Sequence, residues 1–129
     1  SLRLEKGFLS LGTDLRAEYS PKEAGLAFTI DKSRAGYIGA DAVATAQPAR
    51  KLATLLLDPA APVPLGKEPI LVNVTVVGHV SSANFGFTVG QPIALGYLPI
   101  ELASPGTELD IEYFGTLSPA TVAQAPLLE

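Results

Sequence analysis

Apolar and polar residues alternate most clearly late in the chain, where Leu109, Ile111 and Tyr113 interleave with Asp110 and Glu112. Successive side chains on a strand point to opposite faces, so a period of two predicts one buried face and one wet face. Segments rich in β-branched residues recur at 51–57, 70–80, 92–98, 107–114 and 116–123. Ser104-Pro105-Gly106 and Phe114-Gly115-Thr116 separate them as turns. Short strands spaced about ten residues apart predict a small antiparallel barrel or sandwich. Nine prolines follow Pro48, which leaves no room for a long helix in this part. Asp58 to Pro69 holds four of them and reads as an exposed loop between strands, the alternative being a docking segment, since proline-rich chain is stiff.

The first third is mixed. Ser20-Pro21-Lys22-Glu23 has the form of a capping box, and Gly25 stops the helix after a single turn. Leu26, Phe28 and Ile30 alternate with Ala27, Thr29 and Asp31, which predicts a half-buried strand. Gly39 to Gln47 is alanine-rich and compatible with a helix that ends before Pro48. Asn84 to Gly90 lacks the Gly-x-Gly-x-x-Gly form, so it reads as a strand–turn–strand corner rather than a phosphate cradle.

Composition narrows the chemistry. The 129 residues include no cysteine and one histidine, His79, so thiol catalysis, disulfides and multi-histidine metal sites are excluded. His79 reads as an exposed strand residue, with no nucleophile elbow beside Ser81 and Ser82. Charged residues are 17% and the net charge is −4, which argues against nucleic acid as a partner. Residues 1–51 carry +2 and residues 52–129 carry −6, an asymmetry that suggests two units. No apolar run reaches the roughly 18 residues of a membrane span. Methionine is absent, so the sequence reads as a fragment of a longer protein. The scattered carboxylates identify no acid–base pair, and Lys32 with Arg34 reads as a solvated turn.

Several segments, taken in order, resemble one known family. They are Ser1-Leu2-Arg3-Leu4-Glu5-Lys6-Gly7-Phe8, Leu11-Gly12-Thr13-Asp14, Ser20 to Leu26, and Tyr37 to Ala42. Far downstream follow Val76 to Gly86, Val89 to Pro99, and Pro105 to Leu109. The series is similar to the C-terminal part of the glycine-cleavage T-protein family, the folate-dependent aminomethyltransferases. The Val-Gly-His-Val-Ser-Ser-Ala-Asn-Phe-Gly stretch resembles most the C-terminal modules of dimethylglycine and sarcosine dehydrogenases or oxidases. Phe8 follows Lys6-Gly7 where the related iron–sulfur assembly factors carry a cysteine, so that branch is disfavoured.

The resemblance implies a mainly β chain. Residues 1–48 would be a short mixed α/β remnant of a folate-binding domain, and residues 49–129 a small antiparallel β-barrel. It implies tetrahydrofolate as the one-carbon acceptor of the intact protein, and FAD in an upstream domain if the parent is a dehydrogenase. The family's catalytic aspartate would lie in the missing N-terminal part, which is also the expected partner, and the fragment without it would be inactive and prone to self-association. Glu5 stands at the family's folate-contacting glutamate, and Arg34 aligns with an arginine that contacts folate. Val74 follows Asn73 where many members place a turn glycine, so the resemblance expects a hairpin within 70–80. Leu11 replaces a common tryptophan, which changes the local pocket. The implied location is cytoplasmic, or the mitochondrial matrix in a eukaryote. The other function class is a structural or interaction barrel without chemistry of its own.

Overall fold

A computed structural model describes residues 1–31, 33–34 and 36–128. Lys32, read with Arg34 as a turn, lies outside the described residues. Six strands dominate: β1 (Arg50–Leu57), β2 (Pro69–Val72), β3 (Thr75–Gly86), β4 (Gln91–Pro99), β5 (Glu108–Tyr113) and β6 (Thr116–Ala123). They close into a barrel in the order β1-β4-β3-β2-β5-β6, with β6 returning to β1 and every pairing antiparallel. Closure removes both sheet edges, so each strand satisfies its backbone on two sides.

The interior is apolar and continuous. Leu55, Leu57, Ile70, Val80, Leu98, Leu109, Ile111 and Val122 fill it. The alternation read at 109–113 holds, with Leu109 and Ile111 buried. β4 departs from alternation because residues 92–98 are all buried. Ala94 and Leu98 face the barrel core, while Ile93 and Leu95 pack outside it with Leu4. A strand covered on both faces must be apolar throughout, which explains the run Ile93-Ala94-Leu95.

The run 70–80 breaks into β2 and β3 at Asn73 and Val74, as the resemblance implies. Both residues adopt left-handed backbone, with φ of 48° and 59°. A type I′ two-residue turn has positive φ at both central positions, and here it forms even though valine disfavours that backbone.

The first unit carries little regular structure. α1 (Leu2–Glu5) and α2 (Ala40–Thr45) are its only α-helices among the described residues. The capping box forms reciprocally: Ser20 N–H donates to Glu23 Oε2 at 2.9 Å, and Glu23 N–H donates to Ser20 Oγ at 3.3 Å. Gly25, at φ 75°, ends that turn.

The strand expected across Leu26, Phe28 and Ile30 is corrected. Ala27–Thr29 forms a 3₁₀ turn, and Phe28 is 82% exposed. The Thr29 hydroxyl and N–H both donate to the Leu26 carbonyl, closing a local turn. Alternation specifies a strand only where a neighbour offers a ladder, and no described strand pairs here.

Candidate functional site

The chemistry of the first unit concentrates where α1 meets the β3–β4 hairpin. α1 has only four residues, so tertiary contacts rather than helix propensity hold it. Leu4 anchors it on Ile93 and Leu95. Arg3 and Glu5 then reach different parts of the hairpin.

Arg3 Nη1 donates to Asp14 Oδ2 at 2.9 Å and to the Phe8 carbonyl at 3.1 Å, while Nη2 donates to Ser82 Oγ at 2.9 Å. Asp14 has no exposed surface. Its Oδ2 also accepts the Ser10 N–H at 2.9 Å, and its Oδ1 accepts the Ser81 hydroxyl at 2.6 Å. Burial alone would raise the Asp14 carboxyl, but hydrogen bonds from Ser81, Ser10, Ser82 and Arg3 together hold it below its ordinary value.

Two consecutive serines serve one cluster because the β3–β4 register shifts between Val80 and Ser82. A bulge breaks strict alternation, so neighbours that would face apart reach the same side. The Tyr97 hydroxyl donates to the Asp14 carbonyl at 2.8 Å, and its ring stacks on Tyr19 with centroids 3.5 Å apart. Burial, then the neighbouring Tyr19 and Asp14, push the Tyr97 hydroxyl up to about 12.

Glu5 is also without exposed surface. Its Oε1 accepts the Thr88 N–H at 2.7 Å and the Val89 N–H at 3.3 Å, and its Oε2 accepts the Thr88 hydroxyl at 3.3 Å. The Glu5 carbonyl accepts the N–H groups of Leu127 and Leu128 at 3.0 and 3.2 Å. One residue thus joins α1, the hairpin turn and the C-terminal tail.

Arg34 lies in an exposed loop. Asp31 organises that loop, accepting the Ser33 hydroxyl at 2.6 Å and the Ser33 N–H at 2.9 Å. These bonds, the Ser33 hydroxyl first, lower the Asp31 carboxyl. Neither Glu5 nor Arg34 lines the three main grooves. A groove of about 820 Å³ instead runs between the first unit and the barrel, past Leu9, Leu15, Leu26, Phe28 and Leu52. His79 is exposed on β3 and joins no cluster. No three His, Cys, Asp or Glu side chains among the described residues could hold a metal. No helix among them is long and apolar enough to cross a membrane.

Sequence reading missed the Asp14 cluster. Its members Arg3, Asp14, Ser81, Ser82 and Tyr97 were all in view. Only the bulge, which no local pattern announces, brings residues 67 and 79 positions apart together.

Comparison with known proteins matches this architecture. Residues 50–129 match the glycine cleavage T-protein C-terminal barrel domain, and β1 begins at Arg50. The chain is 31% identical to mitochondrial dimethylglycine dehydrogenase of Mus musculus over 132 residues, covering 99% of this chain and 15% of that protein. A probable aminomethyltransferase of Natronomonas pharaonis is 36% identical over 135 residues, covering 100% of this chain and 37% of that one. The crystal structure of the glycine cleavage system aminomethyltransferase T from Bartonella henselae superposes with a TM-score of 0.92 at 27% identity, covering 99% of this chain and 37% of that one. The chain therefore spans between about a seventh and two-fifths of these relatives. The closed six-strand barrel and the matched residues place the chain in the glycine cleavage T-protein C-terminal barrel family.

Proposed function

We propose that the chain is the carboxyl-terminal part of a tetrahydrofolate-dependent enzyme that transfers a one-carbon group from an amine. The observation that carries this reading is the extent of the likeness. It runs through the first unit as well as the barrel, over 99–100% of the chain, in both an aminomethyltransferase sequence and an aminomethyltransferase structure. A barrel borrowed for an unrelated purpose would share only residues 50–129.

The two side-chain types are ones a folate can use, although the Glu5 carboxylate is buried and bonded within the chain. A carboxylate such as Glu5 can accept two adjacent pterin N–H groups, and a guanidinium such as Arg34 suits the carboxylates of the glutamate tail. Neither residue lines the main grooves and the Glu5 carboxylate has no exposed surface, so the rest of the protein would have to complete such a site. Tetrahydrofolate, when bound, accepts the one-carbon group; Glu5 and Arg34 bind and orient it. A flavin, in a parent of the dehydrogenase type, would belong to a segment other than this one. A mitochondrial parent would be consistent with the dehydrogenase relatives, and a cytoplasmic one with the prokaryotic relatives.

The large apolar residues Leu2, Phe8, Leu11, Phe28 and Ile38 are all more than 60% exposed, and all lie in the first unit. Exposed apolar side chains of this size would suit a surface that packs in the intact protein. We assign it to the parent's own preceding domain, with self-association as its consequence in the isolated chain.

The test compares the intact protein with this chain alone, using tetrahydrofolate and either an aminomethyl carrier or an N-methyl amine. Turnover by the intact protein and none by the chain supports the reading. Turnover by the chain alone, or none by the intact protein with any donor, refutes it.

A further inference from the structure

The first unit covers one side of the barrel. Its hydrogen bonds to the strands fall on β1, β3, β4 and the β3–β4 turn, and among the described residues none falls on β2 or β5. β2 and β5 stand across the barrel from β1 and β4. Along β5, Leu109 and Ile111 point inward, so Glu108, Asp110 and Glu112 point outward. The register sets Thr121, Pro119 and Leu117 of β6 beside them, and all three are exposed. Outward acids on a ladder gain from a basic residue directly opposite, and here each faces a residue without charge. The ion pairs among the described residues, Arg3–Asp14 and Arg16–Glu18, both lie in the first unit. Beyond Lys51 the chain has a single lysine or arginine, Lys67.

The turn from β5 to β6 adds an aromatic to this face. Phe114 and Gly115 have φ of 47° and 78°, the geometry of a type I′ turn. Asparagine is favoured at the first of these positions, whereas a bulky side chain is strained there. Phe114 is also 85% exposed, with the Tyr113 ring edge-on at 4.7 Å between centroids. Strain and exposure together mean that Phe114 returns little to folding, and their coincidence points to contact outside the chain.

We propose that the outer face of β5 and β6, with Phe114 at its end, docks a protein partner that presents lysine or arginine beside apolar side chains. The sign of the face selects this occupant. Its carboxylates repel nucleic acid and anionic lipid. A second copy across a two-fold axis would set the same acids against each other. A basic partner pairs with those acids, and a lysine or arginine over the Phe114 ring adds a cation–π contact. Leu117 and Pro119 supply apolar area beside the charges. The inference is independent of the folate reading, since it uses none of that reading's residues.

The experiment is fluorescence anisotropy with a short labelled peptide that alternates lysine with valine, titrated with the intact protein and its variants. Saturable binding is expected below about 1 mM, weaker as salt is raised, with none for a matched glutamate–valine peptide. Asp110→Asn combined with Glu112→Gln should weaken binding roughly tenfold, and Phe114→Asn by a similar factor. Glu18→Gln, on the first unit, should change nothing. Urea unfolding separates binding from folding: Phe114→Asn should be as stable as the parent or more so, because Asn-Gly suits the turn. No saturable binding, equal binding of both peptides, or binding that these variants leave unmoved overturns the proposal. A Phe114→Asn protein that unfolds more readily than the parent also overturns it, by making Phe114 part of the fold. Dimerisation of the intact protein that Phe114→Asn abolishes would make a second copy the occupant and overturn the basic partner.

Discussion

Replacing Asp14 by Asn tests what ties the first unit to the barrel. The change keeps the shape and removes the charge. Asparagine can turn its oxygen toward Arg3 and Ser10 and its amide toward Ser81, whose hydroxyl can instead donate to the Leu95 carbonyl at 3.2 Å. The neutral bonds therefore largely survive, and the loss is the charge assistance to Arg3. A charged hydrogen bond contributes about 1.5–3 kcal/mol, and the Arg3 side chain is 39% exposed, so solvent screens part of it. We expect a loss of about 2 kcal/mol, or roughly 8 °C in Tm for a domain of this size. Urea unfolding followed by far-ultraviolet circular dichroism measures it. The pH dependence supplies a second arm. The folded state holds the Asp14 carboxyl below its ordinary 3.8, so its contribution is fully present above that value. It is lost as pH falls through the folded value, and the parent and variant should converge in acid. A difference under about 0.5 kcal/mol at pH 7, or one that persists unchanged in acid, would refute the assignment.

Three further outcomes follow from the same contacts. Gly78→Ala should cost about 3 kcal/mol or more in urea unfolding, because the added Cβ would collide with the Tyr97 carbonyl, which is backbone and cannot swing aside. Tyr97→Phe should cost about 1–2 kcal/mol by leaving the Asp14 carbonyl unpaired, and should abolish the tyrosinate absorbance step near pH 12. The raised hydroxyl favours the folded state while protonated, so the parent loses this contribution as pH climbs from about 10 through 12. Glu5→Gln should also destabilise the isolated chain by about 1–2 kcal/mol in urea unfolding, since a donor amide would face one of the Thr88 or Val89 donors; an unchanged midpoint would show that Glu5 does not hold the turn.

The barrel was legible because its signals are local. Period-two alternation, β-branched runs and Gly–Pro punctuation each act within about ten residues, and β5 and β6 fall within a residue of where they were read. The first unit was less legible for a physical reason. Alternation at Leu26, Phe28 and Ile30 predicts a strand only if another strand lies alongside, and among the described residues none does. The capping box at Ser20 was read correctly because both of its hydrogen bonds span three residues. Tyr97 and Asp14 escaped notice because a hydrogen bond across 83 positions leaves no local trace.

Glu5 shows how a site and a scaffold share one residue. A carboxylate at a pocket edge would tolerate Gln with little effect on folding. The structure puts Glu5 instead at the junction of α1, the Gly86–Gly90 turn and the C-terminal tail, with no exposed surface. A carboxylate meant to meet a ligand's donors must be kept from rotating, and backbone N–H groups do that better than side chains because the turn fixes them. The contacts that aim such a group are then the same ones that anchor the helix carrying it. Arg3, two residues earlier, is secured by Asp14 and Ser82 on the far side of Leu4, so α1 is held to the hairpin on both sides. Loosening either attachment should move the carboxylate and the barrel turn together, which ties the folate reading to barrel integrity rather than to the first unit alone.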